Sequence, residues 1–159
     1  VVRDLNGYFT EMEHATRAHG GLLLQFIGDE IEAVFGAPLP RPDHAEQAVR
    51  AASLMRARLR AWSAARVARG KPALRHGIGI HTGTVLAGNI GSAERLSYAL
   101  VGDAVNLASR IQGLTKDGKV DILISDATRA RLGAEFAVEE LPAVVVKGRS
   151  VETSVFKVL

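Results

Sequence analysis

Cysteine is absent from the 159 residues. That excludes disulfides, thiolate metal sites and cysteine nucleophiles together, and it fits a reducing compartment. Aromatic residues are scarce at 5%, so the core has to be built from aliphatics and alanine. Neither sign of charge is in large surplus. Lys+Arg number 20 against 17 Asp+Glu, a net +3, which is weak footing for a nucleic-acid partner. No apolar run approaches the roughly 20 residues that a membrane-spanning helix needs. What remains is ordinary for a folded chain: 47% hydrophobic and 23% charged residues, in a length suited to one domain. The chain opens Val1-Val2-Arg3-Asp4, with no Met and already in a helical pattern. It is expected to be a piece cut from something longer.

Val1, Val2, Leu5, Tyr8, Phe9 and Met12 fall on one helical face, and Gly20-Gly21 ends that helix. Leu22–Ile27 and Ile31–Phe35 are two apolar runs around Gly28-Asp29-Glu30, the signature of a β-hairpin. Asp43-His44-Ala45-Glu46 reads as a capping box that opens a second helix, with a stripe of Ala45, Val49, Ala52, Met55, Leu59 and Trp62. Leu74–Val85 alternates as a strand, followed by a glycine-punctuated segment and a strand over Arg95–Val101. Asp103 suits the N-cap of a third helix carrying Leu107, Ile111 and Leu114. Val120–Ile124 reads as a strand and Ser125 as the cap of a short helix. Phe136–Glu140, Val144–Lys147 and Thr153–Val158 read as closing strands. The order predicts an α+β fold with a mostly antiparallel sheet.

Three places could carry chemistry. Asp29, in the hairpin turn, could offer carboxylate oxygens to a hard cation, although aspartate also simply suits a tight turn. Asn106 and Arg110 are four apart and share a polar helix face, opposite the apolar one, where they could hold a ribose and a phosphate. Lys147-Gly148-Arg149 follows an apolar strand and could meet phosphate oxygens. His14, His19, His44, His76 and His81 lack zinc-site spacing, and His81 reads as structural. There is no Walker loop.

Taken in order, these pieces form a more specific pattern. Phe26-Ile27-Gly28-Asp29, Ala33-Val34-Phe35-Gly36-Ala37-Pro38, Gly77-Ile78-Gly79-Ile80-His81-Thr82-Gly83, Gly88-Asn89-Ile90-Gly91-Ser92, Val101 through Arg110, and Val146-Lys147-Gly148-Arg149 together resemble the class III nucleotidyl cyclase catalytic domain, and bacterial adenylate cyclases in particular. The resemblance runs from Val1 to Leu159. It implies a ferredoxin-like α+β core and a head-to-tail homodimer with shared nucleotide sites. It also implies conversion of ATP to 3′,5′-cyclic AMP and pyrophosphate, with two Mg²⁺ or Mn²⁺ ions as cofactors. Position by position, it makes Asp29 one of two metal-binding aspartates and Asn106 the residue that orients the ribose. Arg110 becomes the residue that meets charge at the α-phosphate, and Lys147 the holder of the terminal phosphates. Residues 88–98 match the dimerisation arm. A cytoplasmic domain is implied, with a regulatory or sensor domain elsewhere in the parent protein, whose membrane anchoring stays open.

The sequence departs from that pattern in two respects. The other metal aspartate belongs on a strand just before the first helix, and this sequence does not contain it. The chain is therefore expected to be an N-terminally incomplete domain lacking its first strand, and catalytically crippled as written. The two base-reading positions are Gln25 and Ala99, which match neither the lysine with Asp or Thr of adenylate cyclases nor the Glu and Cys of guanylate cyclases. A glutamine amide can pair with adenine or guanine, so weak base discrimination, with GTP as a further substrate, is expected. The competing expectation is a non-catalytic dimerisation or nucleotide-sensing module that keeps the fold.

Overall fold

The computed structural model describes residues 2–142, 144–145 and 152–159. The chain divides into two compact units, residues 1–76 and 77–159.

In the first unit, α1 (Val2–Ala18) and α2 (His44–Ala68) flank a hairpin of β1 (Leu22–Ile27) and β2 (Glu30–Val34). Met12, Ala15, Ala45, Ala48, Val49, Ala51, Ala52 and Leu59 are buried. Alanine so dominates that list because small side chains let helix backbones approach closely. The few aromatics are concentrated here. Tyr8 lies against Phe9, Trp62 and His76, and Phe9 lies against Phe26. The hairpin turn is two residues long, with Ile27 opposite Glu30. Gly28 has φ +63°, a conformation that glycine adopts without steric cost at the first central position of a type II′ turn. The expected capping box does not form. The Asp43 side chain makes no cap bond, because Gln47 Nε2 donates to it at 2.9 Å and Arg41 pairs with it at 3.4 Å.

In the second unit, β3 (Ile78–Ile80), β6 (Ile122–Ser125), β10 (Val155–Val158) and β7 (Val138–Glu140) make one sheet in that order. The β3–β6 pair is parallel and the other pairs are antiparallel. α3 (Asp103–Gly118) packs Leu107 and Ile111 onto Leu123 and Val155, the core of this unit. α4 (Asp126–Arg129) is capped by Ser125, whose hydroxyl accepts from the Thr128 amide. β4 (Leu86–Ser92) and β5 (Arg95–Val101) form a seven-pair hairpin, and β8 (Val144–Val145) pairs with β9 (Glu152–Thr153).

Four local expectations change. The strand expected over Leu74–Val85 is only Ile78–Ile80, since β6 supplies parallel partners for just three residues. The glycine-punctuated stretch is itself a strand, β4, because β5 pairs with it along its whole length. Gly102, not Asp103, is the N-cap of α3, and Asp103 falls inside the first turn. The last closing strand is divided into β9 and β10 at Ser154. No described helix is long and apolar enough to cross a membrane.

Candidate active site

The first unit carries Asp29 and Gln25. Asp29 is exposed in the β1–β2 turn, and nothing lies within 4 Å of where a side chain on neighbouring Gly28 would begin. The turn is open at Gly28, and Asp29 is exposed beside it. The Asp29 charge is felt by the Tyr8 phenol, which burial first and Asp29 second push up to about 12. Tyr8 Oη lies 2.9 Å from His76 Nδ1. Asp4, the other aspartate near the chain start, is committed elsewhere. Arg66 lies 3.0 Å and Lys71 3.7 Å from its carboxylate, and Arg66 foremost holds it below the usual carboxylate range.

Gln25 is exposed on β1, directly opposite Glu32. Its Nε2 donates to Glu32 Oε2 at 2.8 Å. The sequence alone reads Glu32 as a solvent-side strand residue; counting back from a two-residue turn pairs 27 with 30, 26 with 31 and 25 with 32. The bulge at Leu24 lies beyond that pair and does not disturb it.

The second unit carries Ala99, Asn106 and Arg110. Ala99 is half-buried on β5, opposite Gly88. Asn106 is exposed and Arg110 half-buried on α3, one turn apart. The placement of α3 depends on three glycines whose role was not evident from their spacing. A Cβ at Gly79 would come within 2.7 Å of the Ala108 carbonyl oxygen and of Gln112 Cα. One at Gly77 would lie 2.7 Å from Thr115 Cβ, and one at Gly83 2.8 Å from Ala104 Cβ. Ala104, Ala108, Gln112 and Thr115 form one stripe of α3. At 3.6 residues per turn, Asn106 and Arg110 lie about 180° from that stripe. The glycines seat the helix by its back and leave the polar pair facing outward. Next to this seat, His81 Nδ1 lies 2.8 Å from Ser125 Oγ, and Thr82 Oγ1 lies 2.9 Å from Thr128 Oγ1. Ser125 and Thr128 are fully buried, so these bonds tie the half-buried His81 and Thr82 to the end of the sheet. Lys147 and Arg149 lie outside the described residues.

No group of three or more His, Cys, Asp or Glu side chains that could hold a metal occurs among the described residues. Asp29 alone still suits Mg²⁺, which is commonly held by one or two carboxylates together with substrate phosphates.

The family model described as "Adenylate and Guanylate cyclase catalytic domain" matches residues 1–158. The chain is 38% identical over 159 residues to "Adenylate cyclase 1" of Rhizobium meliloti, covering all of this chain and 24% of that protein. It therefore spans about a quarter of that curated relative's length. Two solved structures superpose closely. The guanylyl cyclase Cya2 gives a TM-score of 0.91 at 36% identity, over 99% of this chain and 79% of that one. The adenylyl cyclase CyaB from P. aeruginosa gives 0.90 at 28% identity, over 99% and 81%.

Proposed function

Since the chain belongs to the adenylate and guanylate cyclase catalytic domain family, we propose that it converts ATP to 3′,5′-cyclic AMP and pyrophosphate in a site shared across a homodimer. The ribose 3′-oxygen attacks the α-phosphorus, the bond to the β-phosphate oxygen breaks, and the hydroxyl proton leaves to solvent. The observation that carries this reading is the Asn106/Arg110 pair, an amide and a guanidinium one turn apart on the outward face of a helix seated by glycines. In this reading the Asn106 carboxamide hydrogen-bonds the ribose and orients it for attack. The Arg110 guanidinium meets the charge that builds at the α-phosphate as the leaving oxygen departs. Lys147 holds the terminal phosphates. By the family resemblance, Gln25 and Ala99 occupy the base-reading positions. Asp29 would hold a divalent cation, Mg²⁺ or Mn²⁺, which when bound supplies charge neutralisation at the phosphates and acidifies a ligated hydroxyl. The β4–β5 hairpin supports a dimer, since it exposes Leu86 by 70%, Leu96 by 60%, Val101 by 51% and Ile90 by 43%.

A second reading, a nucleotide-sensing or dimerisation module without turnover, is favoured by two observations. Ala99 brings no polar side-chain atom to the base, and Gln25 is engaged by Glu32. One experiment separates the two: cyclic nucleotide production by the full-length protein with Mn²⁺ or Mg²⁺, beside Arg110→Ala. Turnover that falls by at least about 10²-fold in the variant, with unchanged melting, is expected. A wild type that binds nucleotide without forming product supports the module. An Arg110→Ala rate equal to wild type removes the catalytic reading.

A further inference from the structure

Positive charge is unevenly spread along this chain. From Gln47 to Ala93 there is no Asp or Glu, and there are eight Lys and Arg, all between Arg50 and Arg75. The rest of the chain is net acidic. The eight cations sit on α2 and on the segment that leaves it. Those on the side of α2 towards α1 are used within the fold. Arg58 donates to Glu11 at 2.8 Å, Arg66 lies 3.0 Å from Asp4, and Trp62 lies between them against Tyr8. Arg58, Trp62 and Arg66 make one row, four residues apart. At 3.6 residues per turn, Arg56, Arg60 and Val67 lie about 140° round the helix from that row. The chain leaving α2 folds back along the helix. Arg66 Nε donates to the Pro72 carbonyl oxygen at 3.2 Å, and the Leu74 amide donates to Ser63 Oγ at 2.9 Å. Arg60 and Val67 are the neighbours of Ser63 one turn before and one turn after, so Leu74 and Arg75 are brought up beside them. Arg60 and Arg75 are exposed. Two aliphatic side chains are exposed among them, Val67 by 54% and Leu74 by 37%.

From this juxtaposition we propose that Arg56, Arg60 and Arg75, set around Val67 and Leu74, form a docking surface for an anionic phospholipid bilayer. Guanidinium groups take phosphate oxygens in a bidentate fork. A bilayer presents its charge as a continuous sheet, so the arginines need no register with it. Val67 and Leu74 enter the boundary between headgroups and acyl chains, where burial of an aliphatic group is favourable. Against a nucleic-acid backbone the same two side chains gain nothing. A protein partner calls for a large central anchor, and Trp62, the only tryptophan, is turned towards Tyr8 of α1. In this arrangement α2 lies on the membrane and does not cross it.

The test is cosedimentation of the 159-residue chain with vesicles of phosphatidylglycerol and phosphatidylcholine, beside vesicles of phosphatidylcholine alone. Wild type is expected to bind the anionic vesicles only, and less as salt is raised. Arg56→Gln/Arg60→Gln/Arg75→Gln is expected to weaken binding by about fivefold for each arginine removed, the worth of one basic residue at such a surface. Val67→Ser/Leu74→Ser, which leaves the charge unchanged, is expected to weaken it severalfold. Arg95→Gln/Lys116→Gln/Lys119→Gln removes as much charge from exposed positions of the second unit and is expected to bind nearly as wild type does. Melting temperatures check that each variant is folded. A wild type that ignores anionic vesicles, or binds both kinds equally, overturns the proposal. So does equal loss in the two triple variants, which would reduce the effect to net charge. Duplex DNA that displaces wild type from the vesicles at equal phosphate concentration gives the surface to nucleic acid and overturns the membrane assignment.

Discussion

Tyr8 shows how one side chain ties packing to the electrostatics of the site. Its ring is held among Phe9, Trp62 and His76, and its phenol is pushed up to about 12, by burial first and the Asp29 carboxylate second. A tyrosine in an unfolded chain ionises near 10. Between those two values the unfolded chain loses the proton while the folded chain keeps it. The stability contributed is therefore whole below about pH 10 and is lost as pH rises towards 12. Thermal melts across that alkaline range should show Tyr8→Phe losing stability less steeply than wild type. At neutral pH the variant should be slightly weaker, by about 1 kcal/mol, for the lost contact with His76 Nδ1. A Tyr8→Phe protein as alkali-sensitive as wild type would show that the phenol does not set this dependence. Asn106, Arg110, Asp29 and Lys147 stand out in the sequence as candidate site residues, by type and order. The hydrogen bond from Gln25 to Glu32 does not, because it depends on the register across the turn.

At the scale of elements, the helix that carries Asn106 and Arg110 is placed by the residues of the β3 segment. Gly79 meets the backbone of α3 at Ala108 and Gln112, so an added methyl group has no flexible side chain to displace. Gly79→Ala should push α3 away from β3, at a cost of about 1–3 kcal/mol from overpacking. Turnover should fall further than that loss of stability accounts for, since Asn106 and Arg110 move with the helix. Gly113, on the same helix but with nothing within 4 Å of a Cβ, is the control. Gly113→Ala should leave turnover intact and, by helix propensity, raise stability by up to about 1 kcal/mol. Melting and kcat measured for both variants check the contrast. The alternation Gly77, Gly79 was visible as a pattern, but only the partner helix shows that it is a seat. The same holds for β4. Leu86–Ser92 contains two glycines and an alanine, and it becomes a strand only through its seven pairings with β5.

At the scale of the whole molecule, the β4–β5 hairpin and its exposed leucines bear on assembly. If both subunits build each site, activity must depend on association as well as on chemistry. Leu96→Asp, at a side chain 60% exposed, should leave the monomer folded, weaken association, and make specific activity rise with protein concentration where wild type is flat. Sedimentation and activity measured over the same dilution series check this. A variant with wild-type association would remove the hairpin from the interface.

The α+β class, the order of most elements, the β-hairpin around Gly28-Asp29, and the shared helix face of Asn106 and Arg110 were legible in the sequence. All of these are local. Periods of 2 and 3.6, turn chemistry and i, i+4 spacing are written within a few residues of one another. Tertiary structure decided the sheet order β3-β6-β10-β7 with its parallel β3–β6 pair, the strand state of Leu86–Ser92 and the glycine seat under α3. Each of these depends on a partner element. A glycine does not show what will approach it, and a weak strand does not show its pairing.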